Sequence, residues 1–307
     1  MTKGFTRRRF LLAATVSGLA TALPAETQHW EGRALGARAR ILMDHPEAAR
    51  LTAMARAEIA RLEGVFSLYQ PESELVRLNR DGRLDAPSFE LLDCLAVARV
   101  AHRVTGGLFD PTVQPLWRVM AEAVEQGRTP QAARITKARE RIGFDRVRFA
   151  PEAVVLGQGQ ALTLNGIAQG YIADRVTRLL KSEGLADVLV DTGEIVARGT
   201  AEGQGGWPVR IAGTSRRLVL RDRALATSAS HGTRLGAQGH ILNPWGAAEE
   251  GVEGAGRQVS VSADSAALAD ALSTGLCLLG DSAAARALLA GARGVRLESF
   301  IPEQSRS

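Results

Sequence analysis

Residues 265–279 read SAALADALSTGLCLL, and no other stretch constrains the fold of this chain as tightly. Leu268, Leu272, Leu276 and Leu279 recur at helical spacing, and between them stand Ala, Gly, Ser, Thr and Cys with a single charge, Asp270. A helix without a solvated face is a buried helix, so the remaining elements must pack around it. A carboxylate inside such a helix is costly unless donors or a cation meet it. Thr274 stands at i+4 on the same side, and oxygen ligands at that spacing suit a hard cation such as Mg²⁺. The alternative reading of the pair is a hydrogen bond from Thr274 to Asp270 or to a backbone carbonyl.

The N-terminus reads as an address. Thr6-Arg7-Arg8-Arg9-Phe10-Leu11-Leu12 precedes the uncharged stretch Ala13 to Ala25, with small residues at Ala22 and Ala25 for cleavage. This pattern predicts a twin-arginine export signal over residues 1–25, too short to favour a membrane anchor, and a soluble mature chain of residues 26–307 in the periplasm. The signal also carries most of the excess charge. The whole chain is +5; without Lys3, Arg7, Arg8 and Arg9 it holds 34 basic against 33 acidic residues. Nucleic-acid binding thereby loses its main support.

The roughly 280 mature residues can bury a full core as one large or two intimately joined domains. Cys94 and Cys277 sit in apolar helical patterns; they could pair in an exported protein, but buried free thiols are the default. The five histidines lack zinc-site spacing.

Periodicity predicts a strand over Trp30–Met43 and helices over Pro46–Val65, Ser73–Asn79 and Ser88–Val104, followed by a polar helical stretch to about Arg141. Strands are expected at Val147–Phe149, Val154–Leu156 and Ala161–Leu164, then a helix from Gly166 to Glu183. Short strands follow at Val188–Val190, Ile195–Ala197, Val209–Ile211, Leu218–Leu220 and Val259–Val261. Helices over Ser265–Leu279 and Ser282–Leu289 and a strand at Val295–Leu297 close the chain. Strands in runs with helices set apart imply an α+β fold. Glu202–Gly206 and Gly246–Gly256 read as surface loops.

Three further segments could carry chemistry. Leu162 to Tyr171 turns through Gly166 and Gly170 into a helix, whose free amides could receive an anion; a structural turn is the plainer reading. In Phe109-Asp110-Pro111-Thr112 the acid can cap a helix or hold a ligand hydroxyl beside an aromatic ring. His231 and His240 lie in Ala226–Asn243, which has little apolar periodicity, and His240 enters a turn where it could move a proton near neutral pH.

Taken in order, Leu35-Gly36-Ala37, Phe66-Ser67-Leu68-Tyr69 with Ser73-Glu74-Leu75 and Leu78-Asn79, Gly107 to Val113, Asn165 to Tyr171, Asp191-Thr192-Gly193-Glu194, Ala226-Thr227-Ser228, His240 to Pro244 and Ala269 to Thr274 resemble the ApbE family of FAD:protein FMN transferases. The resemblance spans nearly the whole mature chain. It implies an α+β fold of mixed sheets with flanking helices, and Mg²⁺-assisted cleavage of FAD with transfer of FMN to a Ser or Thr hydroxyl of an acceptor flavoprotein, releasing AMP. It implies metal ligation by Asp270, Thr274 and the Ala168 carbonyl, with Ser273 a further candidate. FAD contacts fall at Leu35, Tyr69, Leu108, Phe109, Asp110, Asn165, Tyr171 and Ile241, and His240 matches the base that acts on the acceptor hydroxyl.

Some positions depart from the family pattern. Gln169 stands where Lys is common, Asn243 where Asp precedes Pro, Trp245-Gly246-Ala247 lacks the expected Thr-Gly, and Glu194 stands where Gly is frequent. Gln169 and Asn243 support one alternative, a non-catalytic FAD carrier or assembly factor; a second is an FAD pyrophosphatase, in which water replaces the acceptor. Gln169, Phe109 to Trp117 and the export signal together resemble the exported NosX branch linked to nitrous oxide respiration. That branch implies a membrane-bound respiratory flavoprotein as acceptor.

Overall fold

The structure is a computed structural model and describes residues 28–232, 234–235, 238–246 and 257–302; the expected signal at 1–25 and nearly all of the loop expected at 246–256 lie outside the described residues. Where one strand is expected over Trp30–Met43 there is a hairpin, β1 (Gln28–Ala34) and β2 (Ala37–Met43), paired antiparallel. Its turn, Leu35 and Gly36, has φ of 48° and 84°, the handedness that matches the twist of two hairpin strands. The Leu35 amide donates to Glu63 Oε1 at 2.6 Å, which offsets the strain of a non-glycine residue there.

Helix α1 (Ala48–Phe66) buries Leu51, Ala55, Ile59 and Leu62 along one stripe. Helix α2 (Glu74–Asp81) is capped by Ser73 and stopped by Gly82 in the left-handed region. After β3 (Arg83–Asp85), Ser88 caps α3 (Phe89–Val104). The polar stretch resolves into α4 (Gln114–Glu125) and α5 (Ala132–Arg139), and β4 (Arg148–Ala150) and β5 (Ala153–Val155) join β3 in a small sheet. The second half runs α6 (Ala168–Ser182), β6 (Val188–Asp191), β7 (Ile195–Arg198), the hairpin β8 (Trp207–Arg210) and β9 (Arg217–Leu220), and β10 (Arg223–Ala229). It ends with β11 (Arg234–Leu235), β12 (Gln238–Gly239), β13 (Arg257–Ala263), α7 (Ala266–Leu276), α8 (Ser282–Leu289) and β14 (Arg296–Pro302).

Seven strands form the main sheet in the order β1-β2-β6-β7-β10-β13-β14, every neighbour antiparallel. Alternation along the strands sends Ile41, Val190, Val196, Ala226 and Val261 into a core shared with α1, α3, α6 and α7. Leu42, Leu189, Ile195 and Leu225 face the other way, under Trp207, Val209 and Leu220 of the β8–β9 hairpin. Helices gathered on one face of an antiparallel sheet meet the α+β expectation. Helix α7 is buried at nine of its eleven positions, between the sheet and α6, as its composition requires.

Two expected features differ. Residues 161–164 are extended but form no strand. Their backbone is met instead by a side-chain amide: Asn79 Nδ2 donates to the Leu162 carbonyl at 2.8 Å and Asn79 Oδ1 accepts from the Leu162 amide at 2.6 Å. The Thr163 amide donates to Pro111 O at 2.8 Å, so these groups are satisfied without a neighbouring strand. Conversely, β10 reads RALATSA and shows no strong period, yet it is an interior strand of the main sheet. Its neighbours β7 and β13 impose the conformation that its own propensity leaves open.

The α6–α7 junction is built from a carboxylate. Asp174, buried in α6, accepts from the Ser265 hydroxyl at 2.8 Å and from the amides of Ala266 and Ala267 at 3.0 and 3.1 Å, satisfying donors at the start of α7. Asp174→Ala removes all three bonds and should lower stability by about 2–3 kcal/mol, read as a shift in urea midpoint at constant slope. An unchanged midpoint would show that Ser265, the helix's own cap, suffices alone.

Candidate functional site

Helix α7 brings Asp270 against α6. The Asp270 carboxyl is buried, and the hydrogen bond it accepts among the described residues is a long one, 3.3 Å from the Gly170 amide to Oδ2. Burial pushes its pKa up to about 7. Glu194, in the β6–β7 turn, is also buried and raised well above the usual carboxylate range, by burial first and then by the neighbouring Asp270 charge. Its Oε2 accepts from the Thr227 amide of β10 at 3.0 Å. Two buried acids this close leave negative charge short of compensation whenever both ionise.

Hydroxyls cluster beside the carboxyl. Ser273 donates to the Asp270 carbonyl at 3.0 Å, and Ser228 Oγ of β10 lies 2.7 Å from Ser273 Oγ and 3.1 Å from Thr274 Oγ1. The expected alternative pairing of Thr274 with Asp270 is thus replaced by one with Ser228. The start of α6 closes on the same spot: a Cβ on Gly166 would stand 2.9 Å from Thr274 Oγ1. Ala168 opens α6, and the Thr192 hydroxyl donates to the Gln169 carbonyl at 2.8 Å. Asp270, Thr274 and the Gly166–Ala168 turn, apart by about a hundred residues in sequence, are therefore one place in the fold.

The donor set fits a hard divalent cation. Among the described residues no three His, Cys, Asp or Glu side chains gather as a metal-binding group. An ion here would be met by a carboxylate together with hydroxyl and carbonyl oxygens. A buried carboxylate with one long hydrogen bond has capacity for such an ion.

Phe109 and His240 stand near the same place. Gly275 leaves no space for a side chain against Phe109, which seats the 107–112 loop on α7 next to Thr274. His240 follows β12 and its amide donates to Ser230 O at 3.1 Å, two residues beyond Ser228. Ile241 packs on the main core, and Leu242 joins a small cluster with Leu116, Met120, Ala138 and Ile142 that fixes this turn to α4 and α5. Trp245, largely exposed, lies over Gly107, where a Cβ would be 3.2 Å from the indole. Asn165 and Tyr69 are exposed, and Leu35 and Leu108 are half-buried.

Two predicted FAD contacts have other work. Asp110 is buried with its oxygens engaged: Oδ1 accepts from the Thr112 amide at 2.7 Å and hydroxyl at 2.5 Å, and Oδ2 from the Phe144 amide at 3.1 Å. The capping alternative describes it, and burial raises its pKa. Tyr171 is buried edge-on to Phe66 and its hydroxyl donates to Asp93 Oδ2 at 2.9 Å, so its side chain anchors α6 to α1 and α3. Cys94 and Cys277 are both buried free thiols.

Ser228 and Asp174 are the site-building residues that local reading does not single out. Ser228 lies in the recognisable triplet Ala226-Thr227-Ser228, but a lone Ser in an aperiodic stretch carries no signal of its own. Its role exists only once β10 meets α7.

A family profile described as "ApbE family" matches residues 35–296. Among curated proteins, the chain is 28% identical over 286 residues to a FAD:protein FMN transferase of Salmonella typhimurium (strain LT2), covering 85% of this chain and 80% of that protein. It is 26% identical over 303 residues to one of Klebsiella pneumoniae (strain 342), covering 88% and 84%. Among solved structures, the apo flavinyl transferase ApbE of Pseudomonas stutzeri superposes with a TM-score of 0.76 at 24% identity, over 91% of this chain and 95% of that one. The ApbE protein of Thermotoga maritima gives 0.77 at 23% identity, over 91% and 97%. These structures share the fold.

Proposed function

The chain belongs to the ApbE family, and we propose that it is a Mg²⁺-dependent FAD:protein FMN transferase acting on a Ser or Thr hydroxyl of an exported flavoprotein. The observation that carries this reading is Asp270: a buried carboxylate against the first turn of α6, flanked by the Thr274 hydroxyl and by the strand that leads to His240. The curated relatives' shared activity supports it.

In this reading Asp270, Thr274 and the Ala168 carbonyl hold the cation, and Ser273 supports them. A cation held there would supply charge neutralisation at the pyrophosphate and at the departing phosphate. Leu35, Tyr69, Leu108, Phe109, Asn165 and Ile241 are the positions that would contact FAD, with Asp110 and Tyr171 holding their elements in place. The acceptor oxygen bonds to the FMN-side phosphorus, the bond from that phosphorus to the bridging oxygen breaks, and AMP leaves with the bridging oxygen. His240 takes the acceptor's proton. Positioning and charge neutralisation of this kind are what phosphoryl transfer asks of a protein. The twin-arginine pattern supports export to the periplasm, and the resemblance to the NosX branch supports a membrane-bound respiratory flavoprotein as acceptor.

The test is to mix the protein with FAD, Mg²⁺ and an outward-facing flavoprotein domain, then record the acceptor's intact mass and the AMP formed. An FMN-sized increase lost with EDTA is expected. AMP with free FMN would make it a pyrophosphatase, and FAD binding without AMP would make it a carrier. For His240→Ala, kcat should fall about a hundredfold or more while FAD affinity changes by less than about threefold. Equal losses in both would make His240 a binding residue.

A further inference from the structure

The three hydroxyls beside Asp270 can be ordered by proton counting. A carbonyl oxygen only accepts, so the 3.0 Å contact between Ser273 Oγ and the Asp270 carbonyl uses the Ser273 proton. Ser273 Oγ must then accept at its 2.7 Å contact with Ser228, which uses the Ser228 proton. At the 3.1 Å contact with Ser228 the only proton left is that of Thr274. The relay runs in one direction, from Thr274 to Ser228 to Ser273 to the Asp270 carbonyl.

This ordering has a consequence for ligation. With its proton drawn toward β10, Thr274 keeps its oxygen lone pairs for another partner, and the chain at Gly166 comes so near that a Cβ there would stand 2.9 Å from its hydroxyl. Ser273, fully buried, has its proton on the Asp270 carbonyl and one lone pair engaged by Ser228. It is therefore the relay's terminus.

We infer that Ser228 is the positioning residue that turns the Thr274 hydroxyl oxygen toward the cation. The inference rests on the cation reading above. Without Ser228, the Thr274 proton is free to rotate into the cation's place, and the ion must reorient it on binding. Outer groups that orient metal ligands commonly contribute tenfold or more to affinity.

The test is calorimetric titration of the full chain with Mg²⁺ alone, with no flavin or acceptor present. Ser228→Ala should weaken Mg²⁺ binding about tenfold, and Ser228→Thr, which keeps the hydroxyl on a β-strand, should restore it to within about twofold. Thermal melts without Mg²⁺ check that the variants share the same fold. Should Ser228→Ala fail to fold, Ser273→Ala interrupts the relay from its other end and should weaken binding to a similar degree. Wild-type affinity in folded Ser228→Ala would overturn the role of Ser228 while leaving the cation reading intact if Thr274→Ala still loses binding. Equal Mg²⁺ binding by the wild type and Thr274→Ala would overturn the cation reading, and this inference with it.

Discussion

Asp270→Ala should lower Mg²⁺-dependent AMP release by about a thousandfold or more and leave the protein folded. The two halves of that result have different causes. Activity depends on the carboxylate as the charged anchor for the cation. The fold does not require it, because it accepts one long hydrogen bond and burying its charge is a cost rather than a gain near neutral pH. Burial lifts the Asp270 pKa from 3.8 to about 7, so the metal-free fold favours the protonated form. Its contribution to stability is then fully present below about pH 4 and is lost as pH rises through about 7. Saturating Mg²⁺ should reverse this trend, since the ion binds the ionised carboxylate, and its affinity should strengthen as pH rises toward and past 7. Thermal melts across this range, with and without Mg²⁺, check it against Asp270→Asn, which should show neither Asp270-linked dependence. Full activity in Asp270→Ala would remove the metal assignment.

Gly170→Val is expected to be the most damaging substitution for stability. Even a Cβ at this helical position would stand 2.3 Å from the Ala266 carbonyl oxygen and 2.7 Å from the Ala267 amide, both backbone atoms that cannot swing aside. Helices α6 and α7 would have to part, which disturbs the Asp174 cap and moves the Gly170 amide away from Asp270. A loss of about 3 kcal/mol is expected, corresponding to a fall in Tm of about 6–9 °C, with Mg²⁺ affinity reduced as well. A Tm within about 1 °C of the wild type would mean that the close approach of the helices is not needed for folding.

Much of the architecture could be read from local pattern. The α1 stripe, the Ser73 and Ser88 caps, the β6 and β7 runs and the all-round burial of α7 follow from side-chain period and capping chemistry, which act within a few residues. The expected strand at Ala161–Leu164 fails for a nonlocal reason: Asn79, more than eighty residues earlier, supplies the hydrogen bonds that a strand partner would have supplied. The interior strand β10 is invisible for the complementary reason, since its neighbours rather than its composition hold it in the sheet. Asp110 is legible both as a cap and as a ligand contact; the cap is visible in the bonds it accepts from Thr112 and from the distant Phe144 amide.

The candidate site divides in the same way. That Asp270 needs a partner, and that Thr274 stands on its side of the helix, follow from composition and from the pitch of one helix, properties of covalent order. Which groups answer that need depends on packing: Gly170 from α6, Gly166 from the turn before it, Ser228 from β10 and Glu194 from the β6–β7 turn converge because a seven-stranded sheet and a buried helix bring remote segments within van der Waals reach. Hydrogen-bond direction and the shift of a buried pKa are properties of that assembled environment, and they arise only after the chain has closed around Asp270.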